Sequence, residues 1–137
     1  MKLTTRSRYG LRAMTYIAAK AGEGPIPTTE IAESLNLSDN YLEQLLRTLK
    51  KDGFLRSIRG VKGGYELVQD PQDIMVLDLL KTLEGDLWLS DCTQCGECPG
   101  GNTNCPTRLI IRRMSRAIEE AVEGETLADM AEIYKAV

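Results

Sequence analysis

The sequence of 137 residues contains no histidine. This absence excludes Ser-His-Asp hydrolases, Cys-His nucleophiles and every metal site that needs an imidazole ligand. Long hydrophobic runs are missing as well, because no apolar segment reaches the ~18 residues that a membrane span requires. Arg6, Arg8 and Arg12 interrupt the opening segment MKLTTRSRYGLRAM, so no signal-peptide core is predicted. We therefore expect a cytoplasmic protein with no membrane partner.

The charged residues are unevenly distributed between the two halves of the chain. The length and the 42% of hydrophobic residues predict one globular domain with appendages. Residues 1–70 carry 11 Lys and Arg against 8 Asp and Glu, a net charge of +3. Residues 71–137 carry 6 against 12, a net charge of −6. This asymmetry predicts that any polyanionic partner binds the front half.

Apolar residues at helical spacing predict three helices in the front half. The first covers about 5–21, the second covers 28–35 with Thr28 as its N-cap, and the third follows the N-cap Ser38 and ends near Asp52. Four leucines share one side of the third helix: Leu42, Leu45, Leu46 and Leu49. The opposite side is polar, with Asn40, Glu43, Gln44, Arg47 and Lys51. This arrangement is a helix-turn-helix, although a merely solvated polar face would produce the same pattern.

A β-hairpin is predicted after the third helix. Two apolar segments, 54–59 and 65–68, flank the turn GVKGG. A hairpin behind a helix-turn-helix makes a winged helix. Gln, Asn and Arg can pair with base edges, and Arg59, Arg47 and Lys62 can neutralise phosphates. Glycines such as Gly60 let the wing backbone approach DNA closely.

The predicted fold class is mainly α with a small β-hairpin wing. A helix over about 74–84 follows the wing. A long helix over about 106–123 carries a broad apolar stripe that could pack on its own domain or on a second copy; its residues are Ile110, Ile111, Met114, Ala117, Ile118, Ala121 and Val122. Thr126 and Asp129 predict a capping box that opens a final helix. We divide the chain into a winged helix-turn-helix domain (1–84), a cysteine-rich loop (85–105), and a dimerisation helix with a C-terminal helix (106–137).

All four cysteines lie in the stretch CTQCGECPGGNTNC. In a cytosolic protein, clustered thiols are more often metal ligands or redox groups than disulfides. The spacing partly matches the bacterial ferredoxin run, but six residues instead of three separate the last two cysteines. Structural zinc and a thiol switch without metal are the alternatives.

The sequence resembles the IscR-type family of bacterial winged-helix transcription regulators, which often carry an iron–sulfur cluster. The resemblance rests on the opening MKLTTRSRYGLRAM, on the segment SDNYLEQLLRTLKKDGFLRSIRGVKGGYEL and on the spacing of Cys92, Cys98 and Cys105. It covers nearly the whole chain. It implies a homodimer, built on the long C-terminal helix, that binds a double-stranded DNA operator with two half-sites. It also implies that the following residues contact DNA: Ser38, Asn40, Tyr41, Glu43, Gln44, Arg59 and Gly60.

The resemblance implies that Cys92, Cys98 and Cys105 hold the cluster, with [2Fe–2S] favoured over [4Fe–4S]. Relatives add a histidine at the position of Arg108, and some use a carboxylate at the position of the partner's Arg8. Neither arginine can ligate iron. The fourth ligand is therefore open between Cys95 and an oxygen ligand, either Asp91 or Glu97.

These features together predict a DNA-binding regulator, not an enzyme, with no small-molecule substrate. Its operator affinity would depend on an iron–sulfur cluster, and its targets would be genes for cluster assembly. One alternative is a repressor that senses nitric oxide or redox stress on the same scaffold. A small iron–sulfur electron-transfer protein is the other alternative, and it would leave the front half without a role.

Overall fold

The computed structural model describes residues 3–89 and 105–137. The elements follow in the order α1 (Thr5–Ala19), α2 (Thr28–Leu35), α3 (Asp39–Lys51), β1 (Leu55–Ile58), β2 (Gly64–Leu67), a 3₁₀ turn (Pro71–Asp73), α4 (Val76–Glu84), α5 (Pro106–Val122) and α6 (Leu127–Ala136). The predicted class, mainly α with a small β-hairpin wing, is confirmed. No helix in the described ranges is both long enough and apolar enough to cross a membrane.

Helices α1, α2 and α3 share one hydrophobic core. The four leucines of α3 are all buried in it, beside Met14 and Ile17 of α1 and Ile31 of α2. Asn36 adopts the left-handed conformation with φ 55°, which makes the tight turn between α2 and α3. Ser38 then caps α3 by accepting a hydrogen bond from the backbone N–H of Tyr41 at 3.3 Å, as the sequence predicts.

Local details of α1 and α2 differ from the sequence prediction, and α4 begins at Val76 instead of near Ile74. Helix α1 ends at Ala19 and not near Ala21, because Gly22 turns the chain with φ 91°. Thr28 is the first residue of α2, whereas Pro27 occupies the N-cap position. No side chain among the described residues caps α2, and the Thr28 hydroxyl lies 3.5 Å from Glu43 of α3 instead.

The wing is an antiparallel hairpin of β1 and β2. Its register pairs Leu55 with Leu67 and Arg56 with Glu66, and the latter pair forms an ion pair at 2.7 Å. Tyr65 exchanges two backbone hydrogen bonds with Ile26, each 2.9 Å long. A side chain at the adjacent Gly64 would collide with the Ile26 carbonyl, so glycine is required for this close approach. The wing is thereby fixed to the segment that precedes α2.

The C-terminal helix α6 belongs to the same core as the front helices. It packs along α1, and its Leu127 and Ala131 are buried in the core cluster. Thr126 and Asp129 form the predicted capping box, in which the Asp129 backbone N–H donates to the Thr126 hydroxyl at 3.2 Å. The capping hydrogen bonds lower the pKa of the Asp129 carboxyl.

Helix α4 is joined to the start of α1 by a carboxylate. Glu84 accepts hydrogen bonds from the hydroxyls of Thr4 and Ser7 and from the Thr4 backbone N–H. Burial raises the pKa of Glu84, but these hydrogen bonds outweigh it and the net pKa is lowered. Gly10 of α1 meets the Leu83 side chain so closely that a Cβ there would require Leu83 to move.

Candidate nucleic-acid interface

The side of α3 opposite its leucines is exposed. Asn40, Gln44 and Arg47 follow each other at helical spacing and form one polar stripe on this side. Ser38 is exposed at the start of the same helix. The stripe offers an amide, a second amide and a guanidinium, which are side chains that pair with adenine and guanine edges in the major groove.

The wing turn places its charged residues at the tip of the hairpin. Arg59, Gly60 and Lys62 are all exposed, and a hydrogen bond of 3.0 Å from Gly63 N–H to the Gly60 carbonyl closes the turn. Gly60 has φ 117°, a conformation that L-residues with a side chain rarely adopt. Val61 projects fully into solvent between the two charged side chains. The tip therefore combines two cations with an exposed backbone.

Helix α3 and the wing border a common groove of about 540 Å³, and Arg47 is the stripe residue that lines it. The Lys50 ammonium donates to the Ser57 hydroxyl at 2.7 Å, which fixes the end of α3 to β1. The groove is lined by the start of α2, by α3 and by the wing: Thr28, Glu43, Arg47, Lys50, Gly60 and Tyr65 among others. Two elements that the sequence places separately are thus joined in one concave surface.

Glu43 is engaged within the protein. Its Oε1 accepts a hydrogen bond from the Tyr65 hydroxyl at 2.8 Å and lies 3.7 Å from Arg47 Nε. Its Oε2 lies 3.5 Å from the Thr28 hydroxyl, the limit for a hydrogen bond. Tyr65 itself is buried. Burial first, and then the hydrogen bond to Glu43, raise the pKa of Tyr65 to about 12.

Tyr41 is held between α3 and α1. Its hydroxyl donates to the Thr5 hydroxyl at 3.4 Å, and its ring packs edge-on against Tyr9 with centroids 6.2 Å apart. The guanidinium groups of Arg8 and Arg12 lie over the same Tyr9 ring. A basic surface of α1 therefore borders the first turn of α3.

Cys105 occupies the N-cap position of α5 and is half-buried. The backbone N–H groups of Arg108 and then of Thr107 donate to its sulfur, and these hydrogen bonds lower the pKa of the thiol. The other predicted ligands, Cys92, Cys95, Cys98, Asp91 and Glu97, lie outside the described residues. Arg108, which the IscR-type resemblance places at a ligand position, is buried.

Helix α5 buries polar residues and exposes apolar ones. Its two buried residues are Arg108 and Ser115, and the Ser115 hydroxyl accepts a hydrogen bond from the Leu89 N–H at 3.3 Å. Ile110 is 49% exposed and Met114 is 53% exposed, and both lie on the predicted stripe. Ile118 and Val122 pack against Val76 and Leu80. Among residues 3–89 and 105–137, therefore, side chains cover only one edge of the stripe.

Comparison with known proteins decides the family. The sequence model of the Rrf2 family, described as "Iron-dependent Transcriptional regulator", matches residues 3–133. The chain belongs to the Rrf2 family. One relative is the HTH-type transcriptional regulator CymR of Bacillus subtilis (strain 168), 38% identical over 96% of this chain and 90% of that protein. Another is the HTH-type transcriptional regulator IscR of Aliivibrio salmonicida (strain LFI1238), 36% identical over 95% of this chain and 77% of that protein.

Solved structures of Rrf2 regulators share the fold. CymR of B. subtilis, described as the global cysteine regulator, has a TM-score of 0.81 at 37% identity and covers 97% of this chain and 98% of its own. IscR of T. potens has a TM-score of 0.79 at 36% identity and covers 98% of this chain and 88% of its own. The predicted IscR-type resemblance and winged-helix fold are confirmed. The chain is a DNA-binding transcriptional regulator, and the prediction that it is not an enzyme is confirmed by this class of relatives.

The sequence pattern does not predict the contacts of two residues in the groove between α3 and the wing. Thr28 was predicted as a helix cap, and Tyr65 only as part of a strand, yet both hydroxyls point at Glu43. Alternation along β2 predicts that Tyr65 faces inward, but it gives no partner for the hydroxyl. That partner lies 22 residues away in the sequence, on another element.

Proposed function

We propose that this Rrf2 regulator inserts α3 into the major groove of an operator while the wing contacts the adjacent backbone or minor groove. The observation that carries the proposal is the single concave surface that Glu43, Arg47 and Lys50 of α3 line together with the wing turn, beside the exposed stripe of α3. Base edges would be read from α3, and phosphates neutralised from the wing. The proposed contacts are Ser38, Asn40, Tyr41, Glu43, Gln44, Arg47, Arg59, Gly60 and Lys62.

Two copies of the chain are proposed to bind two half-sites as a homodimer. The exposed edge of the α5 stripe supports this, since Ile110 and Met114 are about half exposed in the described part of the chain and the exposed Ala117 and Ala121 continue the same edge. A second α5 would bury these residues. Dimerisation sets the distance between two recognition helices, which must match the half-site spacing.

The signal is proposed to be an iron–sulfur cluster held by Cys92, Cys98 and Cys105. A [2Fe–2S] cluster is favoured. The fourth ligand is open between Cys95 and the carboxylates Asp91 and Glu97. The donor chemistry at the one described ligand fits, because thiolates hold such clusters and the first turn of α5 stabilises the Cys105 thiolate. The iron-dependent description of the family supports the same reading. When bound, the cluster would respond to the supply of iron and to the redox state of the cell.

Cys105 connects such a signal to the interface between copies. It is the N-cap residue of α5, and Leu109 N–H donates to its carbonyl at 3.2 Å. Anything that holds Cys105 therefore also fixes the start of the proposed dimerisation helix. A ligand that binds one arrangement of the two copies better than another shifts the population toward it. Cluster-assembly genes are the proposed targets.

A thiol-based switch without a cluster is the second candidate. It is favoured by the similarity to CymR: the B. subtilis protein is described as a cysteine regulator, and a Staphylococcus aureus CymR, 38% identical to this chain, has been solved in an oxidized form. In this alternative, oxidation of cysteines in 92–105 would replace cluster loss as the signal. A sensor of nitric oxide or redox stress that retains a cluster is a variant of the first candidate.

The separating experiment is an anaerobic purification followed by an absorption spectrum and an iron and sulfide count. Visible absorption with equimolar iron and sulfide supports the cluster. A colourless, iron-free protein whose operator binding responds to thiol oxidation supports the second candidate. Cys105→Ser keeps an acceptor for the first turn of α5 but removes the thiolate, so it separates ligand loss from helix fraying when compared with Cys105→Ala.

The fourth ligand is tested by Cys95→Ala beside Cys98→Ala. If Cys95 is the ligand, both variants should lose the visible spectrum and the iron equally. Retention of the spectrum in Cys95→Ala alone would direct attention to Asp91, Glu97 or a residue of the second copy.

The wing contact is tested by Arg59→Ala. It should weaken operator binding and reduce the salt dependence by about one counterion, because a phosphate contact is removed. An unaltered affinity across a salt series would mean that the wing does not touch DNA.

A further inference from the structure

A second groove lies between α1, α2 and α6. Its volume is about 550 Å³, within the range of pockets that hold one small molecule. It shares no lining residue with the groove between α3 and the wing. Its lining is mainly apolar and comes from all three helices, including Leu11, Leu35, Met130, Ile133 and Tyr134. A ligand with an apolar body therefore fits this groove.

The charged side chains of this groove are both cationic. Arg8 and Arg12 lie one turn apart on α1, line the groove and are exposed. Among the described residues, no Asp or Glu lines the groove. Neither guanidinium forms an ion pair within residues 3–89 and 105–137. Two unpaired cations beside an apolar surface attract an anion that carries an apolar tail.

The hydroxyl groups on the α1 side of the groove already have partners within the protein. The Thr15 hydroxyl donates to the Leu11 carbonyl at 2.7 Å, and the Tyr16 hydroxyl donates to Glu30 at 3.2 Å. Apart from the exposed Ser34 of α2, the arginines are thus the polar groups that this groove offers to a ligand. The matching ligand has one anionic end and needs no other hydrogen-bonding group.

We propose that this groove is an effector site for a small organic carboxylate with an apolar tail. The carboxylate would pair with Arg8 and Arg12, and the tail would lie on Leu35, Met130 and Ile133. Guanidinium groups suit this role because their N–H donors form a planar fork that matches a carboxylate. The site goes beyond the proposed cluster signal, since it uses no cysteine and no residue between 85 and 105.

Tyr9 connects this groove to the recognition helix. The guanidinium groups of Arg8 and Arg12 lie 5.7 Å and 5.5 Å from the centre of the Tyr9 ring, and that ring packs edge-on against Tyr41 in the first turn of α3. A bound carboxylate would draw the arginines from the ring and neutralise the basic surface of α1. Both effects should weaken operator binding, and this step rests on the proposed DNA contact by α3.

Calorimetric titration of the full chain with decanoate tests the site directly. Decanol has the same tail without the charge, and acetate has the charge without the tail. We expect one decanoate per chain, about tenfold weaker binding of decanol and no detectable binding of acetate, because a charge-assisted hydrogen bond is lost in decanol. Absence of decanoate binding, or equal binding of decanoate and decanol, would overturn the proposal.

Variants at the surface of the groove separate its charge from its apolar lining. Arg12→Gln should weaken decanoate binding by about tenfold. Ile133 is 66% exposed, so Ile133→Gln should leave the fold intact and weaken binding by about fivefold through lost apolar contact. The matched control is Arg6→Gln, an exposed arginine of α1 outside the groove. Equal losses in Arg6→Gln and Arg12→Gln would mean attraction to a basic surface and would overturn the site.

A second copy of the chain is the alternative occupant of this groove. In that case the wild-type dimer should not bind decanoate, whereas a monomeric variant such as Met114→Glu should bind it. That pair of results would overturn the proposal and identify the groove as an interface between copies. Decanoate binding to the wild-type dimer at one molecule per chain supports the effector site.

Operator titrations with and without decanoate test the connection to DNA, on a duplex selected by the wild type from a randomised library. Saturating decanoate should weaken operator binding of the wild type by about fivefold or more, and operator DNA should weaken decanoate binding by the same factor. Arg12→Gln should not respond. If decanoate binds but operator affinity is unchanged, the effector role is wrong and the proposed function stands. If the wild type selects no duplex, the proposed function itself fails, whereas the calorimetry still decides whether the site exists.

Discussion

Helices α3 and α5 are both strongly amphipathic, yet the protein treats their apolar sides in opposite ways. All four leucines of α3 are buried in the core formed by α1, α2 and α6. In α5 the buried residues are Arg108 and Ser115, while Ile110 and Met114 stay about half exposed. The described residues therefore cover the apolar side of α3 completely and that of α5 only in part.

The apolar side of α3 therefore stabilises the folded chain, whereas the exposed apolar side of α5 is left for the proposed contact between two copies. Burial of an apolar side chain contributes about 1.5 to 3 kcal/mol relative to leaving it in water. Helix α3 gains that within the chain, so its polar side can be devoted to DNA. Within the described part of the chain, helix α5 gains only part of it, through Ile118 and Val122, and the exposed remainder is the surface that we propose a second copy covers. Substitutions in the two helices should accordingly have effects of different kinds.

The largest expected effect on folding is that of Leu46→Ala in α3. Leu46 is completely buried, so the variant should lose about 2 to 5 kcal/mol of unfolding free energy. Leu109→Ala in α5 is the matched control, because Leu109 is 60% exposed and lies outside the predicted interface, and it should cost less than about 0.5 kcal/mol. Urea denaturation measures both. Equal losses would contradict the contrast between the two helices.

The largest expected effect on assembly is that of Met114→Glu in α5. A carboxylate in the centre of an apolar interface should raise the dimer dissociation constant by about 100-fold or more. The circular dichroism of the chain should be unchanged, because Met114 is exposed within one copy. Arg112→Glu places the same charge on the opposite side of α5 and serves as the control. A wild-type sedimentation profile for Met114→Glu would remove this face as the dimer interface.

Met114 tests the interface more cleanly than Ile118. The apolar stripe includes both residues, but Ile118 packs against the cluster of Val76, Leu80 and Leu87 within its own chain. Ile118→Glu should therefore destabilise the folded chain as well as the dimer. The sequence pattern alone does not separate these two roles, because it defines a stripe and not what covers each edge of it.

Locally encoded features were the ones that the sequence predicted well. The start of α3 after Ser38, the hairpin wing and the Thr126 capping box follow from residues within a few positions of each other. The pairing of Glu43 with Tyr65, the burial of Arg108 and the packing of α6 into the front core depend on elements brought together by the fold. Spacing carries no information about such partners. The Cys92–Cys98 part of the predicted cluster site stays a prediction.

A smaller effect is expected at the N-terminus of α3. Ser38→Ala removes the side-chain acceptor for the Tyr41 N–H and should cost about 1 kcal/mol of unfolding free energy. Ser38→Asp restores an acceptor and should recover that stability, but it adds a negative charge to the DNA surface and should weaken operator binding. Thermal denaturation and a binding titration on the same samples separate the two roles. Recovery of neither property in Ser38→Asp would contradict the capping role.

The last expected effect concerns Tyr65 of β2 and is confined to alkaline pH, so it is absent under ordinary conditions. The pKa of Tyr65 is raised from 10.0 to about 12, chiefly by burial and then by Glu43. The folded state therefore keeps a proton that the unfolded state releases, so the stability contributed by Tyr65 is complete below pH 10 and is lost as the pH rises toward 12. The absorbance of phenolate, followed against pH, should show one of the five tyrosines ionising later than exposed ones, and Tyr65→Phe should remove that late step. If the late step persists in Tyr65→Phe, another tyrosine is responsible, and the hydroxyl that holds Glu43 is not buried as the structure describes.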